Sequence, residues 1–365
     1  MNQVTIERWR LAALACLAGT LLLPSCGKGN PDGRIPREYT GTSQVIFYPG
    51  VPEQTRMSGI NYARDEQPVL RWACFVFDGN GKLVFSQRVN GESPVGETLK
   101  TGQYRLFAIA NYPADEGPTL DAICTSAGLE ALEARLGDNS RGALQMAGST
   151  ASGSFTVSAA GSPIPVNIHL QRLVAKITLG SVSRCFDQPL QAQKSLILKH
   201  IYLTNVYTET RYVSDYSYWE MSRQPSDWYN AMGWHGSGSM APSSATDALV
   251  GDRSLDISLK QNAYMAVNHS LYCFPNPTAS ERDSRAPDWC VRRTRLILET
   301  ELDGVTGYYQ ATIPTPERNA HYVVHCTLRK PGSTHPEQEG PDTMDVRIAV
   351  AEEDWDHDYA VTENA

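Results

Sequence analysis

The chain is written mostly in short apolar stretches of period two. Near its C-terminal end Met344, Val346, Ile348 and Val350 alternate with Asp345, Arg347 and Ala349. In mid-chain Leu173, Ala175, Ile177 and Leu179 alternate with Val174, Lys176 and Thr178. Such alternation predicts strands with one face on a core. Thr42-Ser43-Gln44-Val45-Ile46-Phe47-Tyr48 is β-branched and aromatic and meets Pro49-Gly50, which predicts a first strand and its end. The apolar stretches 69–77 and 83–85 flank Asp78-Gly79-Asn80-Gly81, whose Gly and Asn tolerate positive φ, so they predict a hairpin. Further strands are predicted at 103–110, 155–157, 164–170, 196–206, 263–274, 294–302, 307–313 and 322–328. One stretch changes period. Leu129, Leu132 and Leu136 fall at helical spacing within 120–136, interrupted by Gly128, and predict one short or broken helix packed on a sheet.

Many short strands, frequent turns and one helical patch predict an all-β chain of two tandem β-sandwich domains. The boundary is placed at 171/172, giving domains 57–171 and 172–365, the first completed by strand 42–48. No internal repeat of fixed period is evident. The segment 207–247 is long, Ser/Gly-rich and aromatic, with Trp219, Trp228 and Trp234. Loops of this kind are usually functional rather than core, so these three Trp are candidate ligand contacts.

The N-terminal segment is a targeting signal rather than structure. Arg8 and Arg10 precede an apolar run from Leu11 to Leu23, short for a bilayer span, and Leu23-Pro24-Ser25-Cys26 reads as a bacterial lipobox. Residues 1–25 are then the signal peptide, and Cys26 is acylated. Acyl chains contribute about 0.8 kcal/mol per buried methylene, so two or three anchor a protein stably in an outer membrane. Residues 26–56 form a Gly/Pro-rich tether and a removable strand ahead of Arg56. Six cysteines remain in the mature chain, without a Cys-x-x-Cys pair. Cys74 and Cys326 lie in apolar strands and read as buried thiols; Cys273 and Cys290 flank a polar loop and are candidates to pair.

The formal net charge of −8 and the lack of a basic cluster argue against nucleic-acid binding. No His-Glu-x-x-His, Gly-x-Ser-x-Gly or dinucleotide fingerprint occurs, and the eight His are scattered. No enzymatic activity, cofactor or metal is expected. Asp354, Asp356, His357 and Asp358 read as a solvated acidic tail beside Trp355, and Glu130 and Glu133 as a solvated face of the predicted helix.

Two features carry a mechanism. A sandwich that loses strand 42–48 exposes unpaired backbone and an apolar groove, a template for another strand. The alternating tail of Met344, Val346, Ile348 and Val350, with Trp355 beyond it, is suited to fill such a groove in a neighbour by strand addition. It also reads as the last strand of its own domain.

The chain resembles the fimbrillins, lipoprotein pilins of the type V pili of anaerobic Gram-negative bacteria. The residues that carry the resemblance are Cys26, the segment from Thr42 to Arg56, Phe75-Val76-Phe77-Asp78, the Ala110-Asn111 strand end, Arg172-Leu173-Val174-Ala175-Lys176, Glu317-Arg318-Asn319 with Tyr322, Pro331-Gly332-Ser333 and the ending through Trp355. The resemblance implies two transthyretin-like Greek-key sandwiches. It also implies cleavage after Arg56 by an Arg-specific cysteine protease, and polymerisation with other fimbrial subunits by donor-strand exchange for adhesion. The family also contains accessory, tip and anchor components, and the six mature cysteines and the aromatic segment leave those roles open beside a surface adhesin that binds a glycan or protein.

Overall fold

A computed structural model describes residues 41–50, 68–159, 162–231, 247–252, 254–279, 290–336 and 343–351. In the first half the strands are β1 (Thr42–Gly50), β2 (Arg71–Phe77), β3 (Leu83–Asn90), β4 (Val95–Lys100), β5 (Gly102–Ala110), β6 (Glu133–Arg135), β7 (Met146–Ser149), β8 (Ser154–Val157) and β9 (Ile164–Arg172). Eight of them form one sheet in the order β3-β2-β5-β7-β9-β1-β4, with β8 added on β5. The sheet curls over a single apolar interior. Val45 and Phe47 from β1, Trp72, Cys74 and Val76 from β2, Leu106 from β5 and Val166 and Ile168 from β9 meet there. β9 alternates buried and exposed residues along its length, as a strand with one dry face must. β2 is buried on both faces, which is why it is a continuous apolar run: its Ala73, Phe75 and Phe77 pack into a second cluster.

The second half contributes β10 (Ala175–Arg184), β11 (Leu196–Thr204), β12 (Val206–Tyr207), β13 (Glu209–Arg211), β14 (Trp228–Tyr229), β15 (Gly251–Asp252), β16 (Ile257–Ser258), β17 (Ala263–Cys273), β18 (Arg295–Leu302), β19 (Val305–Thr312), β20 (His321–Leu328) and β21 (Met344–Ala351). Two main sheets, β17-β10-β20-β21 and β15-β11-β18-β19 with β16 on β11, share one apolar cluster that includes Ile177, Leu198, Leu271, Leu298, Tyr309 and Val324.

The strand pairings of the first half recur in the second. β1 runs parallel to β9 and antiparallel to β4; β10 runs parallel to β20 and antiparallel to β17. β2 pairs with β3 and β5, and β5 with β8; β11 pairs with β15, β16 and β18, and β18 with β19. Chain order is kept in these pairings. β21 on β20 takes the place of β7 on β9 but breaks that order, since β7 precedes β9 and β21 follows β20; β7 also pairs with β5, whereas β21 pairs with β20 alone. No fixed sequence period marks this repeat, because pairing partners are conserved in it while connection lengths are not.

Near the 171/172 boundary β9 ends at Arg172 and β10 begins at Ala175. The halves remain tied to each other. β6 pairs with β13, and the larger apolar cluster takes residues from both. A buried polar chain crosses the seam: Gln145 Nε2 donates to the Tyr212 hydroxyl at 3.1 Å, which donates to a Glu116 carboxylate oxygen at 3.2 Å. Desolvation raises the Glu116 carboxyl above its ordinary range.

The helical patch is the main departure from the periodicity. Instead of one helix across 120–136, the chain makes two single turns, α1 (Gly117–Asp121) and α2 (Ser126–Glu130), then β6. Two other one-turn helices, α3 (Pro189–Ala192) and α4 (Asp247–Val250), lie in the second half. Leu120, Leu129 and Leu136 are all buried in the same cluster. The predicted stripe of Leu129, Leu132 and Leu136 reaches that cluster without one helix: Leu129 lies on α2, Leu132 in the link after it, partly buried against the cluster, and Leu136 just after β6. Glu130 and Glu133 therefore share no helix face: Glu130 pairs with Arg105 at 3.1 Å, and Glu133, on β6, accepts from the Tyr216 hydroxyl.

Candidate functional site

β1 is the strand the sequence marks as removable, and its place in the sheet defines what its removal would do. It lies second from the end of the sheet, inserted between β9 and β4. Val45 faces Ile164 on one side and Glu97 on the other; Phe47 faces Val166 and Val95. Val45 and Phe47 are fully buried, whereas Ile46 is half-buried and Tyr48 is exposed. The Phe47 ring stacks on Phe85 of β3 at 6.1 Å and meets Phe155 of β8 edge-on at 5.6 Å. Phe155 in turn stacks on Tyr104 of β5 at 5.7 Å. Phe47 thus crosses the interior and joins β1 to the opposite wall. The Ser43 hydroxyl donates to the Ser158 carbonyl at 2.6 Å.

A strand in this slot is sealed by backbone ladders on both edges. Taking β1 away leaves two unpaired edges, β4 and β9, and an apolar trough walled by Phe85, Leu99, Phe155 and Val166. Burial of Val45 and Phe47 contributes roughly 3–6 kcal/mol gross, at about 1.5–3 kcal/mol per apolar side chain. Sequence patterning missed β4 altogether: Val95-Gly-Glu-Thr-Leu-Lys carries two apolar residues four apart, beside Pro94 and Gly91. It could not name β9 as the parallel partner either. Arg56 and Cys26 lie outside the described residues.

β21 is an edge strand, paired antiparallel with β20 along its whole length, Met344 opposite Leu328 and Ala351 opposite His321. Its alternation is as expected, but its apolar face is only half covered. Met344 and Ile348 pack against the core, while Val346 and Val350 are 39% and 51% exposed. On the other face Asp345 pairs with Arg329 at 2.8 Å. Trp355 lies outside the described residues.

The aromatic segment divides. Trp228 is not an open ligand contact: it is buried with Tyr207, Met221 and Val291, its ring 4.9 Å from that of Tyr207. Its indole N–H donates to the Ser222 carbonyl at 2.9 Å. The aromatics pack on one another here, so a Ser/Gly-rich composition did not keep them at the surface. Trp219 is 78% exposed, and Trp234 lies outside the described residues. Trp228→Ala is expected to cost about 3–5 kcal/mol, as for other large buried aromatics, and Trp219→Ala less than about 0.5 kcal/mol. Urea denaturation of the two variants checks this; equal losses would show that the packed cluster has been misjudged.

Cys74, Cys273, Cys290 and Cys326 are buried free thiols, so Cys273 and Cys290 do not form the expected candidate pair. Burial pushes the Cys273 and Cys326 thiols up to about 12 and raises Cys74 as well, which suppresses the reactive thiolate. Among the described residues no group of His, Cys, Asp and Glu is placed to hold a metal ion, and no helix is long and apolar enough to cross a membrane.

Several solved structures share this architecture. A fimbrilin from Porphyromonas gingivalis superposes with a TM-score of 0.54 at 15% identity, over 85% of this chain and 97% of that one. A candidate cell adhesion protein from Parabacteroides distasonis gives 0.57 at 14% identity, over 85% and 99%. Another from Bacteroides eggerthii gives 0.53 at 18% identity, over 85% and 96%. At these identities the likeness is one of fold, a mostly β, sandwich-type architecture. No curated protein matches the sequence. The family model of fimbrillin-A associated anchor proteins Mfa1 and Mfa2 matches residues 60–262, more than half of the chain. The chain therefore belongs to the fimbrillin-associated family of anchor proteins Mfa1 and Mfa2.

Proposed function

We propose that this chain is a structural subunit of a cell-surface fimbria that polymerises by exchanging β1 for a strand of another subunit. In this reading Cys26 is lipidated and carries the protein to the outer membrane. An Arg-specific cysteine protease cuts after Arg56, β1 leaves, and a neighbour's strand enters between β4 and β9. The observation that carries the reading is the position of β1: the first strand of the sheet in the chain, yet clamped between two others with Val45 and Phe47 in the core. Strand addition there supplies two backbone ladders for affinity and two inward pockets for register. The segment of Met344, Val346, Ile348 and Val350 is the candidate donor, together with the residues through Trp355.

A second reading has one observation in its favour: the matching family is described by its anchor proteins. An anchor would keep β1 in place and present β21 or another edge to the first shaft subunit.

One experiment separates them. The purified full-length chain is treated with an Arg-specific protease, and cleavage is confirmed by N-terminal sequencing. Strand exchange predicts loss of the peptide ending at Arg56 and growth of ladders or filaments by size exclusion and electron microscopy. Arg56→Ala should abolish both. A chain cut at Arg56 that keeps its peptide and stays monomeric would favour the anchor.

A further inference from the structure

The turn at 217–223 presents aromatic and cationic groups to solvent on an unusually well-braced support. Glu220 accepts from the backbone N–H and the hydroxyl of Ser217, at 2.9 and 2.7 Å, and from Arg211 at 3.0 Å; these contacts hold its carboxyl at about 2. The Ser222 N–H donates to the Tyr207 hydroxyl at 3.2 Å, and the Ser222 carbonyl accepts from Trp228. Met221 is buried beneath the turn with Tyr207 and Trp228.

On that support Trp219 stands 78% exposed, its ring edge-on to Tyr218 at 5.1 Å. The Arg223 guanidinium sits 5.7 Å from the centroids of both rings. Carboxylates of this stretch and of the strand beside it are engaged elsewhere: Glu220 with Arg211, Asp215 with Arg318, Glu133 with Tyr216, and Asp227 with Ser222. Among the described residues no carboxylate or carbonyl partners Arg223, and none accepts from the Trp219 indole N–H. The turn therefore offers one broad π face, a phenol, and a cation whose donors remain available. Its conformation is fixed beforehand, so little ordering entropy opposes binding.

We propose that Tyr218, Trp219 and Arg223 form a binding platform for acidic sugars. The C–H face of a pyranose ring lies on the Trp219 indole, and the sugar carboxylate takes the paired donors of Arg223, a geometry in which arginine exceeds any other side chain. Charge selects the ligand class: a neutral sugar would use the ring and leave the guanidinium idle. Trp228 acts as support beneath the platform and touches no ligand. The proposal does not depend on strand exchange, since the platform is far along the chain from β1 and complete in the uncleaved protein.

The test uses the full, uncleaved chain against immobilised oligosaccharides ending in sialic acid, oligosaccharides containing glucuronate, and their neutral counterparts, followed by calorimetry with the best binder. Retention of one acidic class over its neutral counterpart is expected. Trp219→Ala should weaken that binding by about tenfold or more. Arg223→Gln should remove the preference for the acidic sugar by about tenfold, the scale of a lost charge-assisted hydrogen bond. Trp219→Phe should retain part of the affinity. Both side chains are exposed, and unchanged thermal melts should confirm that the variants fold. No retention of any acidic sugar, retention of neutral sugars equally, or binding indifferent to Trp219→Ala and Arg223→Gln would each overturn the proposal.

Discussion

Phe47→Ala is expected to destabilise the uncleaved chain by about 3–5 kcal/mol, the usual cost of emptying a buried phenylalanine site. The ring is fully buried and contacts Phe85 and Phe155 from the opposite wall. Its loss removes both transfer free energy and the aromatic contacts that join β1 to β3 and β8. Tyr48→Ala, one residue on and exposed, should change stability by less than about 0.5 kcal/mol. Urea denaturation measures both, and hydrogen exchange localises the effect: amides of β4 and β9 should open first in the Phe47 variant. A loss below about 1 kcal/mol would mean that β1 is a loosely held cover rather than part of the sandwich. The same variant should shed the cleaved peptide faster after proteolysis, since a weaker plug leaves more readily.

The second large effect is expected at Gly148. A Cβ there would sit 1.9 Å from the His169 carbonyl oxygen and 2.9 Å from the Leu170 Cα, all backbone of the neighbouring β9. Backbone cannot rotate away as a side chain can, so β7 would have to separate from β9. Overpacking commonly costs about 1–3 kcal/mol and occasionally more; with backbone as the obstacle, Gly148→Ala should reach about 3 kcal/mol or fail to yield folded protein. Gly79→Ala is the control, because a Cβ at Gly79 meets nothing within 4 Å, and it should stay within about 0.5 kcal/mol. Denaturation midpoints of the two variants check the contrast; a mild Gly148→Ala would show that the β7–β9 contact gives way easily.

The two-residue period made most of the long strands legible, for a physical reason: one dry face and one wet face write themselves into the sequence. β9 is the clearest case; β21 carries the same alternation although its apolar face is only half covered. β2 was legible through its unbroken apolar run and the turn after it, where the Asp78 carboxylate accepts from the N–H groups of Asn80 and Lys82. What failed did so where a residue's surroundings come from afar. Leu129, Leu132 and Leu136 reach one core from α2, the link after it and the end of β6, and spacing along the chain cannot tell that from a helix. Trp228 is buried by Tyr207, some twenty positions earlier, so composition alone left it at the surface. Of the candidate site, β1 and β21 could be read as strands, but not their neighbours. That β4 and β9 wall the slot depends on long-range pairing, and so does the recurrence of most of the pairing scheme in the second half.

That recurrence has a consequence for how the molecule could come apart. β1 and β10 hold equivalent stations, each flanked by a parallel and an antiparallel companion. Yet β10 is threaded between β9 and β11, and two peptide bonds would have to break before it could be withdrawn. β1 is joined to β2 through residues 51–70, so one hydrolysed bond there leaves only noncovalent contacts between β1 and the strands that flank it, β4 and β9. One hydrolysed bond between β20 and β21 would likewise leave only noncovalent contacts between those two strands. Every strand from β2 to β20 is tied to the chain at both ends, so a single cut between strands could release only β1 or β21 from its covalent link to the rest.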